Sequence, residues 1–128
     1  MGNSEVGHMT LGSGCVIRQD LVRINDEIES GEFFTNAALV AAVEDAAANE
    51  RPVHLVGLTS NGGVHSHIGH LKALIKLCAD HKVKPVVHMT ADGRDTAQMS
   101  ALTFLADIEG LLEDADGSIA TVSGRYYS

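Results

Sequence analysis

The reading of VHLVGLTSNGGVHSHIGH, residues 53–70, decides the fold. Val53 to Leu58 is a short, nearly unbroken apolar run, which predicts a strand buried on both faces. TSNGGVHSH follows as a polar, glycine-containing turn. From about His67 the spacing changes to that of a helix, with Ile68, Leu71, Ile75 and Cys78 on one stripe as far as Asp80. Strand, loop and helix in that order make half of a βαβ unit.

Working outward, the pattern repeats. Val83 to Met89 predicts a second strand, and Ala91-Asp92-Gly93-Arg94-Asp95 a second loop. A helix capped by Asp95 or Thr96 is expected to run to about Glu113, with Ala101, Leu105, Ile108 and Leu112 inward. Asp116-Gly117 turns into a third strand, Ser118 to Val122. Upstream, helices are expected from Gln19 to Ser30, stopped by Gly31, and from Ala37 to Ala48 with Thr35 as N-cap. Residues 1–14, with four glycines, read as loop. The β-α-β-α-β order from residue 53 predicts an α/β fold: a three-layer sandwich with a mostly parallel sheet, right-handed crossovers and helices on both faces.

The chain has 128 residues, 45% of them hydrophobic, and a formal net charge of −8. That charge argues against general affinity for nucleic acid or anionic lipid, so an anionic ligand needs local cations. Cys15 and Cys78 form no CxxC motif and read as small core thiols in a reducing compartment. No apolar run is long enough to span a bilayer, and MGNSEVGH has no apolar core for a secretory signal. The expected setting is cytoplasmic, with no nucleic-acid or membrane partner.

Parallel strands send their following loops to one edge of the sheet, where open α/β folds bind ligands. The loops TSNGGVHSH, TADGRDT and SGRYYS would therefore bring His65, His67, Asp92, Arg94, Asp95 and Arg125 together. This set suits an oxyanion. Two guanidinium groups can fork onto carboxylate or phosphate. The helix start near Ser66 offers free N–H groups, and Gly62-Gly63 permits close backbone approach. His65 can donate a hydrogen bond or proton, and Asp95 can accept one from a hydroxyl.

Plainer readings stand beside each of these. Asn61-Gly62-Gly63 alone is a tight turn, and Asp92-Gly93-Arg94-Asp95 could be a turn with an internal ion pair. HxHxxH at His65, His67 and His70 has the look of a zinc-binding interaction domain but lacks a nearby fourth ligand. His54 and His88 read as packed core histidines. A non-catalytic phosphate- or nucleotide-binding α/β module is a further alternative, without a P-loop or G-x-G-x-x-G motif to support it.

Seven collinear motifs carry a more specific likeness: MGNSEVGH (1–8), GSG (12–14), QDLVRIN (19–25), FF-x-N (33–36), HLVGLTSNGGVHSHIGHL (54–71), DGRDT (92–96) with Ser100-Ala101, and SGRYY (123–127). Together they resemble the cofactor-independent (2,3-bisphosphoglycerate-independent) phosphoglycerate mutases of the alkaline phosphatase superfamily.

The resemblance implies interconversion of 3-phosphoglycerate and 2-phosphoglycerate in glycolysis and gluconeogenesis through a phosphoserine intermediate. It makes Ser4 the nucleophile and a metal ligand, and Asp95 a catalytic proton acceptor. His65, Arg94, Asp95 and Arg125 become substrate-binding residues, and two divalent ions (manganese or magnesium) activate the serine. Asn61 stands where an aspartate is common, and Ala97-Gln98 replaces a proline-containing stretch. Family members are several times longer and carry most metal ligands elsewhere. The chain is therefore expected to be a piece of the enzyme: residues 1–14 the nucleophile segment, residues 15–128 a partial substrate-binding domain. Such a piece should be inactive alone, bind no metal and self-associate through a truncated sheet, whereas the full-length enzyme would be monomeric.

Overall fold

A computed structural model describes residues 4–128. The elements run α1 (Ser4–Ser13), α2 (Asp20–Ser30), a 3-10 turn (Glu32–Thr35), α3 (Ala37–Ala48), β1 (Val53–Thr59), α4 (Ile68–Asp80), β2 (Pro85–Ala91), α5 (Ala101–Asp114), β3 (Ser118–Gly124) and a closing 3-10 turn (Arg125–Tyr127). The three strands form one sheet in the order β1-β2-β3, and both pairings are parallel. Central β2 is the most enclosed, with Val87 and Met89 each 1% exposed.

Val53 faces Pro85 at one end of the β1–β2 ladder, and Thr59 faces Ala91 at the other. The β2–β3 ladder holds an irregularity between Val87 and His88. Val87 pairs with Ile119, but His88 pairs with Thr121, so Ala91 ends opposite Gly124.

The α/β class and parallel sheet follow the sequence pattern. Helices on both faces do not: α4 and α5 cover the same face. Two right-handed crossovers that both step in one direction put their helices on one side of the sheet. Leu55, Val87 and Met89 from the strands close on Ile68 and Ile75 of α4 and on Ile108 and Leu112 of α5. On the opposite face His54 and Thr121 are exposed, and Val56 is 76% exposed. β1 is thus buried on one face, not two. A second cluster joins Val43 of α3 to Leu77 and Cys78 of α4. α2 lies against α4, tied by His70 Nε2 and Asn25 Oδ1 at 2.9 Å.

Other local expectations shift for identifiable reasons. Residues Ser4–Ser13 are helix, not loop. Glu5 sits in the first turn, and Gly14 closes the end at φ +66° with its N–H on the Thr10 carbonyl. The helix buries no residue. Met1 to Asn3, the start of the MGNSEVGH motif, lie outside the described residues.

Asn36 rather than Thr35 caps α3, accepting from the amides of Ala38 and Leu39, because the Thr35 hydroxyl donates to the Glu32 carbonyl. α5 begins at Ala101, five or more residues after the expected cap. Met99 at φ +65° breaks the right-handed path before it. Cys78 is a core thiol as expected, whereas Cys15 is exposed. His54 and His88 pair across the open face at 2.9 Å instead of packing in the core, and His88 Nδ1 meets Thr121 Oγ1 at 2.9 Å.

Two substitutions test this packing. Ile108 is 0% exposed, so Ile108→Ala should cost about 2–5 kcal/mol. A Cβ on Gly117 would lie 2.6 Å from Leu112 Cδ2 and 2.8 Å from the Pro85 carbonyl, so Gly117→Ala should cost about 1–3 kcal/mol. Urea unfolding measures both. A midpoint unchanged for either variant would contradict the packing.

Candidate functional site

Each strand ends one residue before a polar side chain. Thr59, Ala91 and Gly124 stand side by side as the last ladder positions. Ser60, Asp92 and Arg125 follow them directly and form a row across the edge. The β3 irregularity is essential to this row. Continuing the Val87–Ile119 register unbroken would set Ser123 opposite Ala91 and carry Arg125 one residue out of line. Because strand side chains alternate, a one-residue slip also sends them to the other face.

Asp92 is the centre of the row, with a side chain 1% exposed. Its Oδ2 accepts from the Ser60 hydroxyl at 2.7 Å. Its Oδ1 accepts from the Arg94 and Asp95 amides, both at 3.0 Å, and from Arg125 Nη1 at 3.2 Å. An aspartate binding amides two and three residues ahead is a local turn device that competes with helix formation. It accounts for the irregular stretch between β2 and α5. Burial opposes the charge on Asp92, but the bonds from Ser60, the two amides and Arg125 outweigh it and hold the carboxyl far below the usual carboxylate range.

Arg125 Nη1 also donates to Asp95 Oδ2 at 2.7 Å, and His65 Nε2 lies 3.8 Å from the same oxygen. The Asp95 carboxylate, then burial acting in opposition, then Asp92 leave the Arg125 guanidinium more firmly protonated than usual. Arg94 sits on the same loop with an exposed side chain that pairs with no acid among the described residues. His65 is 57% exposed and Asp95 12%. The edge thus presents an imidazole, a carboxylate and two guanidinium groups, as the topology implied.

Two expected contributions go elsewhere. The first amides of α4 are already occupied: Ile68 N–H binds the Ser60 carbonyl at 2.7 Å, Gly69 N–H binds His67 Nδ1 at 3.1 Å, and His70 N–H binds the His67 carbonyl at 2.9 Å. They offer an anion little. Gly62 likewise makes room for the neighbouring loop rather than for a ligand, since a Cβ there would lie 2.9 Å from Asp95 Cβ.

The HxHxxH histidines hold three separate posts. His65 is in the edge cluster, His67 caps α4, and His70 bonds to Asn25. Burial, and next the neighbouring His67, push the His70 pKa down. Among the described residues no group of three or more His, Cys, Asp or Glu could hold a metal ion. Ser4 stands exposed at the start of α1 with its carbonyl bonded to His8 Nδ1 at 2.7 Å, and no hydrogen bond ties it to the edge cluster. The residues present therefore do not fit the two-ion centre that the resemblance implied.

Ser60 was not singled out from sequence, and Asp92 was placed at the edge without a role of its own. The signal was a serine directly after a strand and an aspartate opening a D-G turn, which reads as loop chemistry until strand register sets the two side by side. An apolar groove of about 400 Å³ lies elsewhere, along the free edge of β1 beneath α3 and α4. Leu39, Val43, Leu71, Leu74 and Leu77 line it, a surface unsuited to a small anion.

Comparison with known proteins gives the family. The family model described as "BPG-independent PGAM N-terminus" matches residues 24–128. The 2,3-bisphosphoglycerate-independent phosphoglycerate mutase of Clostridium novyi is 54% identical over 130 residues, spanning 100% of this chain and 25% of its own. That of Hydrogenovibrio crunogenus is 50% identical over 129 residues with the same coverage. The chain thus spans about a quarter of the length of the curated relatives it matches. A crystal structure of Leishmania mexicana phosphoglycerate mutase at low cobalt concentration superposes with a TM-score of 0.80 at 34% identity, over 97% of this chain and 23% of that one. A match that takes in all three strands and every loop of the edge cluster shows that the chain belongs to the family of N-terminal regions of 2,3-bisphosphoglycerate-independent phosphoglycerate mutases.

Proposed function

We propose that this chain provides the nucleophile segment and part of the phosphoglycerate-binding domain of a mutase that interconverts 3-phosphoglycerate and 2-phosphoglycerate in the cytoplasm. The convergence of His65, Asp95 and Arg125 at one sheet edge carries the reading, with Arg94 on the same loop. No helix among the described residues is long and apolar enough to cross a membrane.

In this reading Arg94 and Arg125 hold the carboxylate and phosphate of the substrate, and His65 contacts the phosphoryl group. Guanidinium forks suit both anions, and positive charge fixed around a moving phosphoryl group stabilises its transfer. Ser4 Oγ gives up its proton and forms a bond to phosphorus as the bond from phosphorus to the substrate C3 oxygen breaks, and that oxygen takes up a proton, leaving phosphoserine and glycerate. The glycerate turns over. Asp95 accepts the proton of its C2 hydroxyl as that oxygen attacks the phosphoserine and the bond from phosphorus to Ser4 Oγ breaks; Oγ takes a proton back, giving 2-phosphoglycerate and free serine. A serine hydroxyl needs activation, which the resemblance assigns to manganese or a similar divalent ion. Since the described residues make no such centre, the 128 residues alone should bind substrate without turning it over.

Titration calorimetry with 3-phosphoglycerate, inorganic phosphate and ADP tests the binding. Selective uptake of phosphoglycerate is expected, together with no formation of 2-phosphoglycerate in a coupled assay. Arg94→Ala should weaken that uptake about tenfold or more and leave the unfolding midpoint in place, because the side chain is exposed and unpaired with acid. Preference for ADP would favour a nucleotide-binding module, and turnover by this chain alone would overturn the division of labour.

The Asp92 clasp predicts a pH dependence. Its folded-state pKa lies below that of the unfolded chain, so its bonds stabilise the fold above about pH 4 and are lost as the pH falls below that value. Urea unfolding between pH 2.5 and pH 6, both roughly chosen to bracket the ordinary aspartate pKa, should show stability dropping with acid. Asp92→Asn should give a flatter curve. Parallel curves for the two proteins would contradict the clasp.

A further inference from the structure

We propose that Asp92 is a positioning residue for the anion site, holding the Arg125 guanidinium and the Arg94–Asp95 backbone in place while leaving Asp95 free to exchange partners. This rests on the phosphoglycerate reading above. With its side chain 1% exposed, Asp92 is too enclosed to touch a substrate, whereas Asp95, Arg94 and His65 are accessible.

The two acids that share Arg125 are held very differently. Asp92 is fixed by the Ser60 hydroxyl and by the Arg94 and Asp95 amides before Arg125 is counted. Among the described residues the Asp95 carboxylate has only Arg125 at 2.7 Å and His65 at 3.8 Å. Both acids use the same guanidinium nitrogen, Nη1, so Nη2 and Nε are left without an acid among the described residues. An arriving oxyanion can take those donors and compete with Asp95 for the guanidinium charge, drawing its carboxylate off Nη1. Arg125 then keeps its tether through Asp92, and Asp95 becomes available to a substrate hydroxyl. Asp92 also joins all three strand-end loops through one carboxylate, reaching Ser60 and Arg125 across 32 and 33 residues of sequence.

The sign of the effect discriminates. Removing a negative charge beside an anion site should by itself tighten anion binding. Loss of positioning should weaken it. Asp92→Asn is expected to lower 3-phosphoglycerate affinity about tenfold, measured by NMR titration. Ser60→Ala, which keeps the charge but loses one tether, should shift affinity the same way by less, and it carries the test if Asp92→Asn does not fold. In an Arg125→Ala background, Asp92→Asn should cost less than in the wild-type chain, since only its hold on the Arg94–Asp95 backbone remains. Tighter or unchanged binding, or a fully additive loss in the Arg125→Ala background, overturns the proposal.

If the wild-type chain takes up no 3-phosphoglycerate, the functional reading fails on its own. The positioning role is then judged by the guanidinium N–H resonances of Arg125. They should broaden in Asp92→Asn, and unchanged resonances would overturn it.

Discussion

Parallel pairing of β1 and β3 onto a buried central strand is the constraint on which the rest depends. β2 carries Val87 and Met89 into the core and offers backbone partners on both sides. With all three strands running one way, their ends lie at one edge, and residues far apart in sequence meet there. The register then decides which residues meet. Thr59, Ala91 and Gly124 align, so Ser60, Asp92 and Arg125 follow as neighbours. A single irregularity in the β2–β3 ladder makes that alignment possible, an instance of a local ladder defect re-aiming a side chain beside a site.

Electrostatics at this edge runs against the molecule as a whole. The chain carries a formal net charge of −8, which repels small anions at long range. Within the cluster Arg125 is shared by two carboxylates, and one of them is buried and firmly ionised. In the proposed reading, the attraction left for an anion comes from the unshared donors of Arg125, from the exposed Arg94 and from His65. Such short-range recognition selects by geometry more than by charge, because guanidinium donors match planar carboxylates and phosphates in direction as well as sign.

Stability falls off from the sheet outward. β2, α4 and α5 share the main core, α3 has a small cluster of its own, and α1 buries nothing. Ser4 therefore sits on an element held mainly by its own backbone hydrogen bonds, the kind that opens most easily. The proposed binding edge, by contrast, is centred on Asp92 at the end of β2, the best-packed strand. The two parts of the proposed chemistry rest on different foundations: an edge anchored at the packed end of β2, and a nucleophile on a helix that buries no residue.

Hydrophobic periodicity and the order of elements were enough for the three parallel strands, the helices α2 to α5 and the edge where polar loops collect, because these depend on patterns local to a few turns or residues. The motifs were enough for the family. Other features needed the folded chain. The pairing of His54 with His88 on an open face depends on which side of the sheet both crossovers take, and no single strand encodes that. The late start of α5 depends on Asp92 capturing the Arg94 and Asp95 amides and on the left-handed turn at Met99. The use of the first α4 amides by Ser60 and His67 removes a binding feature that the helix start alone suggested. The role of Asp92 itself follows from a one-residue offset between β2 and β3, since hydrogen bonds between residues more than thirty apart are set by register and not by neighbours in the chain.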